Sequence, residues 1–337
     1  MADRILIVGL GSIGKRHARV IKQLRPECEI IALRRQASDA TPESGIDYCV
    51  TNLEEALRLQ PRIAVIANPA SHHVSVAIPL AEAGIHLLVE KPISSTAGDV
   101  PALMEACRRR GIVLMTAYNM RFLPALQRFR ELIRQGRVGH VLSVRAEVGQ
   151  YLPSWRPGND YRSNVSAQAA LGGGALLELS HEIDFLRWIF GEIDWVNAAL
   201  LRQSVLEIDV EDTVHLLLGF RQITERGPLV AAVDIDFIRH DTTRNCTAIG
   251  EAGSLRWNAL EGKVEFYAPG GTAWEVLEEC PSQRDDSYLA EWRHFLECVE
   301  TGAQPMISGE DGLAVLQVIE AARASSAAGA VAKVLHA

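Results

Sequence analysis

Unbroken apolar runs alternate with stretches of helical period through the first third of the chain. Ile5-Leu6-Ile7-Val8 is such a run, and Ile13, Val20, Ile21 and Leu24 follow it at helical spacing, predicting a strand and then a helix over Lys15–Leu24. The pattern continues with strand Glu29–Leu33, short strand Tyr48–Val50 and a short helix opened by Thr51 and Glu54 at capping-box spacing. Strand Ile63–Ala67, helix Val74–Ala83 stopped by Gly84, strand His86–Val89, helix Ala97–Arg110 and strand Ile112–Ala117 complete it. Strands that are apolar throughout and separated by helices predict a parallel sheet covered on both faces.

After Tyr118 the pattern changes. A helix over Ala125–Arg134 leads to strand Val141–Val148, and one long helix is predicted over Ala175–Phe190. Beyond it come strand-like stretches at Trp195–Arg202, Thr213–Phe220, Val230–Phe237, Thr247–Gly250 and Lys263–Tyr267, with no helix between them. Consecutive strands of this kind predict a mainly antiparallel sheet. Helices at Tyr288–Val299 and Asp311–Ala328 close the chain. The fold class expected is therefore an α/β Rossmann domain with a parallel sheet over residues 1–120, joined to an α+β domain over 121–337.

Composition fits two ordinary domains: 337 residues, 48% hydrophobic and 23% charged, enough to bury a real core. A formal net charge of −8 argues against a general nucleic-acid binder. No apolar run reaches transmembrane length, and residues 1–4 lead directly into the first strand, so neither a membrane span nor a signal peptide is expected and the location expected is cytoplasmic. The six cysteines are scattered, with no C-x-x-C pair and no histidine cluster, so reduced thiols and no metal site are expected.

Between the first strand and helix lies Gly9-Leu10-Gly11-Ser12-Ile13-Gly14, the glycine spacing of a dinucleotide-binding turn. Gly9 allows the turn, Gly11 lets backbone approach a pyrophosphate, Gly14 lets helix and strand pack closely, and the N–H groups from Ser12 and Ile13 onward face the anion. An acid at the end of the second strand would bind the adenosine ribose of NAD. Here that strand runs into Arg34-Arg35, and Asp39 lies several residues further on. A guanidinium can stack on adenine and pair with a 2′-phosphate, which favours NADP(H) over NAD(H). Two arginines in a solvated loop would read the same way.

Ligands of open parallel sheets bind beyond the carboxyl ends of the strands. Those ends are Gly9–Gly14, Asn68-Pro69-Ala70, Glu90-Lys91-Pro92 and Tyr118-Asn119. Lys91, directly after a buried strand and held by the following proline, is placed either to reach a ligand or to stand as a surface lysine.

The glycine turn, Asn68-Pro69-Ala70-Ser71-His72-His73, Glu90-Lys91-Pro92 and the segment from Gly172-Gly173-Gly174 to Asp184 occur in the order and spacing of the Gfo/Idh/MocA oxidoreductases. The resemblance covers essentially the whole chain. It implies a Rossmann domain joined to a domain with a large open antiparallel sheet, with a nicotinamide cofactor between them. It implies that Lys91 contacts the reacting hydroxyl, that the Lys91-Pro92 peptide is cis, and that Asn68 and Pro69 lie near the nicotinamide. His72 and Glu90 join the expected cofactor-binding set. Homodimers or homotetramers formed through open sheets are also implied.

On the predicted long helix, Leu176, Leu179, Ile183, Leu186 and Phe190 form an apolar stripe, and Glu178, His181 and Asp184 recur one turn apart on another side. That arrangement offers an acid, a base and an acid to one site, or an ordinary polar helix face. Oxidation of an alcohol needs a proton acceptor, a role suited to a neutral imidazole, and the resemblance gives it to His181 with Lys91 and Glu178 beside it. The chain departs from the family pattern in one respect: four residues before the histidine stands Leu177 instead of an aspartate, and the nearest acid, Glu178, is three before.

The loop Tyr151–Arg162 mixes aromatics with arginines. Trp155 and Tyr161 are expected to stack on a ring, and Arg156 and Arg162 to bind a carboxylate or phosphate; the alternative is that the arginines pair with local acids such as Asp160. Asn119, Arg121 and Asp184 complete the expected substrate contacts. The loop also resembles family members of surface-polysaccharide and acidic-sugar pathways, which implies an anionic or nucleotide-linked sugar. The activity expected is an NAD(P)-dependent dehydrogenase of a sugar or polyol. A glycoside hydrolase with retained cofactor and a non-catalytic cofactor-binding regulator are the alternatives.

Overall fold

The computed structural model describes residues 3–34, 45–224 and 227–336. It divides into two compact units, one of residues 1–119 with 285–316 and the other of 120–284 with 317–337. The expected second domain was 121–337; by compactness Asp285–Leu316 groups with the N-terminal unit. Sequence pattern could not reveal this, because a helix carries no mark of the sheet it covers.

The first unit holds six parallel strands: β1 (Arg4–Val8), β2 (Glu29–Leu33), β3 (Tyr48–Val50), β4 (Ile63–Ile66), β5 (His86–Glu90) and β6 (Leu114–Ala117). Their order is β3-β2-β1-β4-β5-β6. The chain turns from one direction of sheet growth to the other between β1 and β4, where such sheets form ligand crevices at the carboxyl ends. Every residue of β4 and the last four of β1 are buried, as strands covered on both faces require. Helices α1 (Ser12–Leu24), α2 (Leu53–Arg58), α3 (His73–Glu82) and α4 (Val100–Arg110) follow the strands. The cap of α2 is Asn52, whose side chain accepts from the Glu55 N–H, and not the expected Thr51.

The second unit carries α5 (Pro124–Arg134), β7 (Val141–Gly149), α6 (Ala175–Glu178) and α7 (His181–Phe190). Strands β8 (Ile193–Leu201), β9 (Thr213–Thr224), β10 (Gly227–Asp236), β11 (Thr243–Gly250), β12 (Gly253–Asn258), β13 (Lys263–Tyr267) and β14 (Glu275–Glu279) follow. Helices α8 (Asp286–Thr301) and α9 (Gly309–Ala328) and strand β15 (Ala332–Lys333) end the chain. The nine strands of this unit form one sheet in the order β14-β13-β12-β11-β7-β10-β9-β8-β15. It is antiparallel except between β10 and β7. Burial alternates along β12 and β13, so one face carries the core. Against that face lie α5, α6 and α7, with Phe185 set edge-on to Trp257 at 5.4 Å.

The expected long helix is two helices. Leu179 (φ −105°, ψ 27°) breaks the α-helical course, and α7 starts at His181. The break falls at the place where the spacing between acid and histidine is one residue shorter than in the related pattern. The apolar stripe survives it: Leu176, Leu179, Ile183, Leu186 and Phe190 are all buried.

Candidate active site

The turn after β1 is built for an anion. Gly9 has φ +90°, and a Cβ there would stand 2.9 Å from the Ala67 carbonyl oxygen and the Asn68 backbone. A Cβ on Gly14 would be driven into the Gly9 carbonyl oxygen, so helix and turn touch there. Gly11 differs, because a Cβ there would meet no atom of the described residues within 4 Å. Backbone kept bare where the chain itself needs no room fits close approach by a ligand. Gly11 also caps α1 without any side-chain bond, and no acid occupies the helix's first turn. The N–H groups around Ser12 and Ile13 therefore face outward with the positive end of the helix dipole.

Across the switch point, Asn68 and Pro69 follow β4. Asn68 Oδ1 and Ser71 Oγ are buried with no hydrogen-bond partner among the described residues. Orphaned polar atoms beside the glycine turn are what a polar cofactor would satisfy. These residues fit a nicotinamide dinucleotide. His72 is half-buried in the short turn that follows. Arg34 is half-buried at the end of β2, whereas Arg35 lies outside the described residues.

Two histidines that the sequence reading left unassigned organise the neighbouring strand ends. His73 is fully enclosed, with Nε2 2.7 Å from the Asn68 carbonyl oxygen and Nδ1 3.0 Å from that of Pro92. It joins the segments that follow β4 and β5. Burial pushes its pKa down against the pull of those carbonyls and of Glu90. His17, on the apolar face of α1, has Nε2 2.9 Å from Glu90 Oε1, and the other Glu90 oxygen accepts the Lys91 N–H at 3.0 Å. Glu90, expected to touch the cofactor, has both carboxylate oxygens bonded inside the unit. Burial would raise its pKa, but the bond from His17 and the charge of Lys91 outweigh burial and hold it low. The Lys91-Pro92 peptide is cis, as the resemblance implies.

Glu291 of α8 is a second buried carboxyl in this unit. Neither of its oxygens has a hydrogen-bond partner among the described residues. Burial, then the charge of Glu90, raises its pKa well above the ordinary value, which favours the neutral acid in the folded chain. The unfolded chain ionises this group above about pH 4.3 while the folded chain keeps the proton, so its contribution to stability falls as pH rises from there. Glu291→Leu should therefore raise stability by about 1–3 kcal/mol at pH 8 and by much less at pH 4. Thermal unfolding across that range checks it, and a gain that does not change with pH would refute the assignment.

In the second unit His181 is the first residue of α7 and nearly buried, at 9% exposure. Glu178, half-buried, is on α6, so the two do not share a continuous helix face. Asp184 is turned to Arg121 in the interior. It takes a bidentate pair of hydrogen bonds from Arg121, Nε to Oδ2 at 3.0 Å and Nη2 to Oδ1 at 2.6 Å, with the side chains 1% and 3% exposed. Two residues expected to touch substrate are thus bound to each other in the interior. Glu182, equally buried, receives Arg244 Nε at 2.8 Å. These pairs lock α7 and so fix where His181 begins it.

Other expected contacts also have structural partners. The Asn119 amide donates to Ser287 Oγ at 2.8 Å in the first unit. In the loop, the Trp155 indole N–H bonds the Gln150 carbonyl, and the ring sits edge-on to Phe237 at 5.1 Å. Tyr161 Oη accepts the Glu207 N–H, and Arg162 pairs with Asp160 and Glu207 at 2.8 Å each. The alternative of local acids is the one realised for Arg162. Arg156 has no ion pair among the described residues.

The family model described as oxidoreductase family, NAD-binding Rossmann fold (Gfo/Idh/MocA) matches residues 4–118, and that of the family's C-terminal alpha/beta domain matches residues 130–334. The chain is 25% identical over 337 residues to the myo-inositol 2-dehydrogenase of Thermotoga maritima, spanning 96% of each. It is 31% identical over 210 residues to the levoglucosan dehydrogenase of Pseudarthrobacter phenanthrenivorans, spanning 58% of this chain and 53% of that one. A solved structure of levoglucosan dehydrogenase in complex with NADH has the same fold, with a TM-score of 0.88 at 21% identity over 100% of each chain.

Proposed function

The chain belongs to the Gfo/Idh/MocA oxidoreductase family, and on that premise we propose that it is a nicotinamide-dependent dehydrogenase of a sugar, sugar derivative or polyol. The observation that carries this reading is the bare anion cradle at Gly11 beside the orphaned Asn68 Oδ1. A dinucleotide held by the glycine turn and the segment after β4 would supply hydride transfer to or from the substrate carbinol carbon. The Lys91 ammonium donates a hydrogen bond to the reacting oxygen, and His181 accepts the hydroxyl proton as the carbonyl forms. In the reverse direction the same imidazole returns the proton. Glu178 completes the catalytic set as a neighbour of His181 in sequence.

Arg34 and Arg35 form a 2′-phosphate clamp in this reading, favouring NADP(H). Side-by-side fluorescence titration with NADPH and NADH tests it. Tighter NADPH binding, weakened about tenfold or more when both arginines become alanine, is the expected result. Equal or tighter NADH binding removes the clamp and leaves the dehydrogenase. Binding of neither by folded, cofactor-free protein overturns the reading.

Arg156 is the loop guanidinium left to meet substrate, which favours an anionic or nucleotide-linked sugar. Turnover of a uronic acid in preference to myo-inositol or levoglucosan, reduced by Arg156→Ala, would bear this out. The dehydrogenase names of the relatives favour this activity over a retained-cofactor glycoside hydrolase or a non-catalytic regulator. No helix among the described residues is long and apolar enough to cross a membrane. A cytoplasmic homodimer or homotetramer, joined through the open face of the nine-stranded sheet, completes the proposal.

A further inference from the structure

Trp292, on the buried face of α8, points its indole N–H at His17 Nδ1 over 2.9 Å. Both side chains are 0% exposed. An indole nitrogen can only donate, so His17 Nδ1 can only accept and bears no proton while this bond exists. The proton of the neutral ring is therefore on Nε2, where it is donated to Glu90 Oε1 at 2.9 Å. The second Glu90 oxygen accepts the backbone N–H of Lys91. A single line of three hydrogen bonds runs from a helix near the end of the chain to the residue that carries the proposed catalytic ammonium.

We propose that Trp292 and His17 are positioning residues for Lys91: the indole fixes the histidine tautomer, and that tautomer holds Glu90 as an oriented carboxylate braced on the Lys91 backbone. The inference deepens the proposed function and rests on the role given there to Lys91. The ring could otherwise carry its proton on Nδ1 and present a lone pair to Glu90. Facing such an acceptor, a buried carboxylate would be repelled unless it took up a proton itself. A neutral Glu90 would no longer place a negative charge beside the Lys91 ammonium. The ionisable groups that face Glu90 are His17, Lys91, His73, Tyr288 and Glu291. Of the bonds named here, only those from His17 and the Lys91 N–H reach its oxygens. Edge contacts of Tyr288 and Trp292 on the His17 ring, each with centroids 5.9 Å apart, hold its plane.

Three variants separate tautomer control from mere packing. Trp292→Phe keeps an aromatic ring and removes the donor. His17→Leu removes both bonds. His17→Gln keeps an acceptor and a donor on one amide and should restore the line. Nitrogen-15 spectra of histidine-labelled protein, with the His17 signals assigned by their loss in His17→Gln, should show a protonated Nε2 and a bare Nδ1 in the native chain. Trp292→Phe should shift that pattern toward a mixture of tautomers. Turnover should fall about tenfold to a hundredfold in His17→Leu, less in Trp292→Phe, and return most of the way in His17→Gln. Affinity for NADH and NADPH should stay within about threefold, because the glycine turn is untouched.

A proton on His17 Nδ1 in the native protein would overturn the inference, whatever the activity. So would native kcat in both His17→Leu and Trp292→Phe while Lys91→Ala is inactive. Failure of the underlying function looks different: Lys91→Ala then equals the native protein, whereas the tautomer spectrum is unchanged.

Discussion

Lys91→Ala should lower turnover by about three orders of magnitude and leave the dissociation constants for NADH and NADPH within about threefold of the native values. Lys91 follows β5 directly, at the carboxyl edge where an open parallel sheet collects its ligands. Its backbone N–H donates to Glu90 Oε2 at 3.0 Å. Alanine keeps that N–H and removes the ammonium. In the proposed reading the dinucleotide is held by the turn at Gly9, Gly11 and Gly14 and by the segment after β4, which the substitution leaves alone. Stopped-flow cofactor titration and steady-state rates on one preparation check both halves. An ammonium that donates to the reacting oxygen stabilises charge only as that charge develops, so the loss belongs in kcat more than in KM. Lys91→Arg is not expected to rescue, because a planar fork cannot take the place of a compact point charge on the same atom. Full activity in Lys91→Ala would remove Lys91 from the chemistry and with it the reading of the whole strand end.

Much of this arrangement is legible in the linear sequence. Buried parallel strands write themselves as unbroken apolar runs, and β1, β2 and β4 lie within a residue of where the pattern puts them. The glycine turn is legible because each glycine answers a separate steric demand. What is lost is whatever depends on backbone angles or on distant partners. Periodicity runs straight through Leu179 and Ser180, since the apolar residues keep their spacing across a break that apolar side chains do not report. Strand β14, Glu275-Val276-Leu277-Glu278-Glu279, is a charged edge strand, and charged edges suppress the signal that marks strands. The cap of α2 slipped by one residue because Thr51 and Asn52 are both able caps with a glutamate three residues on.

The polar interior was the hardest part to foresee. His17 and Trp292 are 275 residues apart, and Arg121 and Asp184 are 63 apart. His17 and Glu291 nevertheless leave a trace, since they fall on the apolar faces of their helices, where an unaccompanied polar residue would be costly. A polar residue inside an apolar stripe is a request for a partner that the sequence does not name. Asp184 leaves the opposite impression: set one turn from His181, it reads as part of a functional row, and only the structure shows its carboxylate turned inward to Arg121.

That difference gives the largest expected stability effect. Asp184→Ala should destabilise the protein by about 3–5 kcal/mol, because it leaves the Arg121 guanidinium charged and buried without its bidentate partner. The guanidinium cannot escape by losing its proton, and the side chain is 3% exposed. Trp188 lies 5.7 Å from the guanidinium carbon, on a ring that Arg130 already covers at 4.1 Å. If Asp184 touched substrate instead, the variant would lose turnover while melting like the native protein. The double variant Arg121→Met/Asp184→Leu separates the two cases further. Replacing both charges with apolar groups of similar size removes the desolvation penalty together with the attraction, so most of the lost stability should return, giving a strongly non-additive cycle. Turnover should return with it, the result expected of a pair that serves His181 by holding α7 in place. Denaturant unfolding of the two single variants and the double measures the coupling. Additive losses, or a stable double variant with no activity, would move Asp184 from the framework of the site into its chemistry.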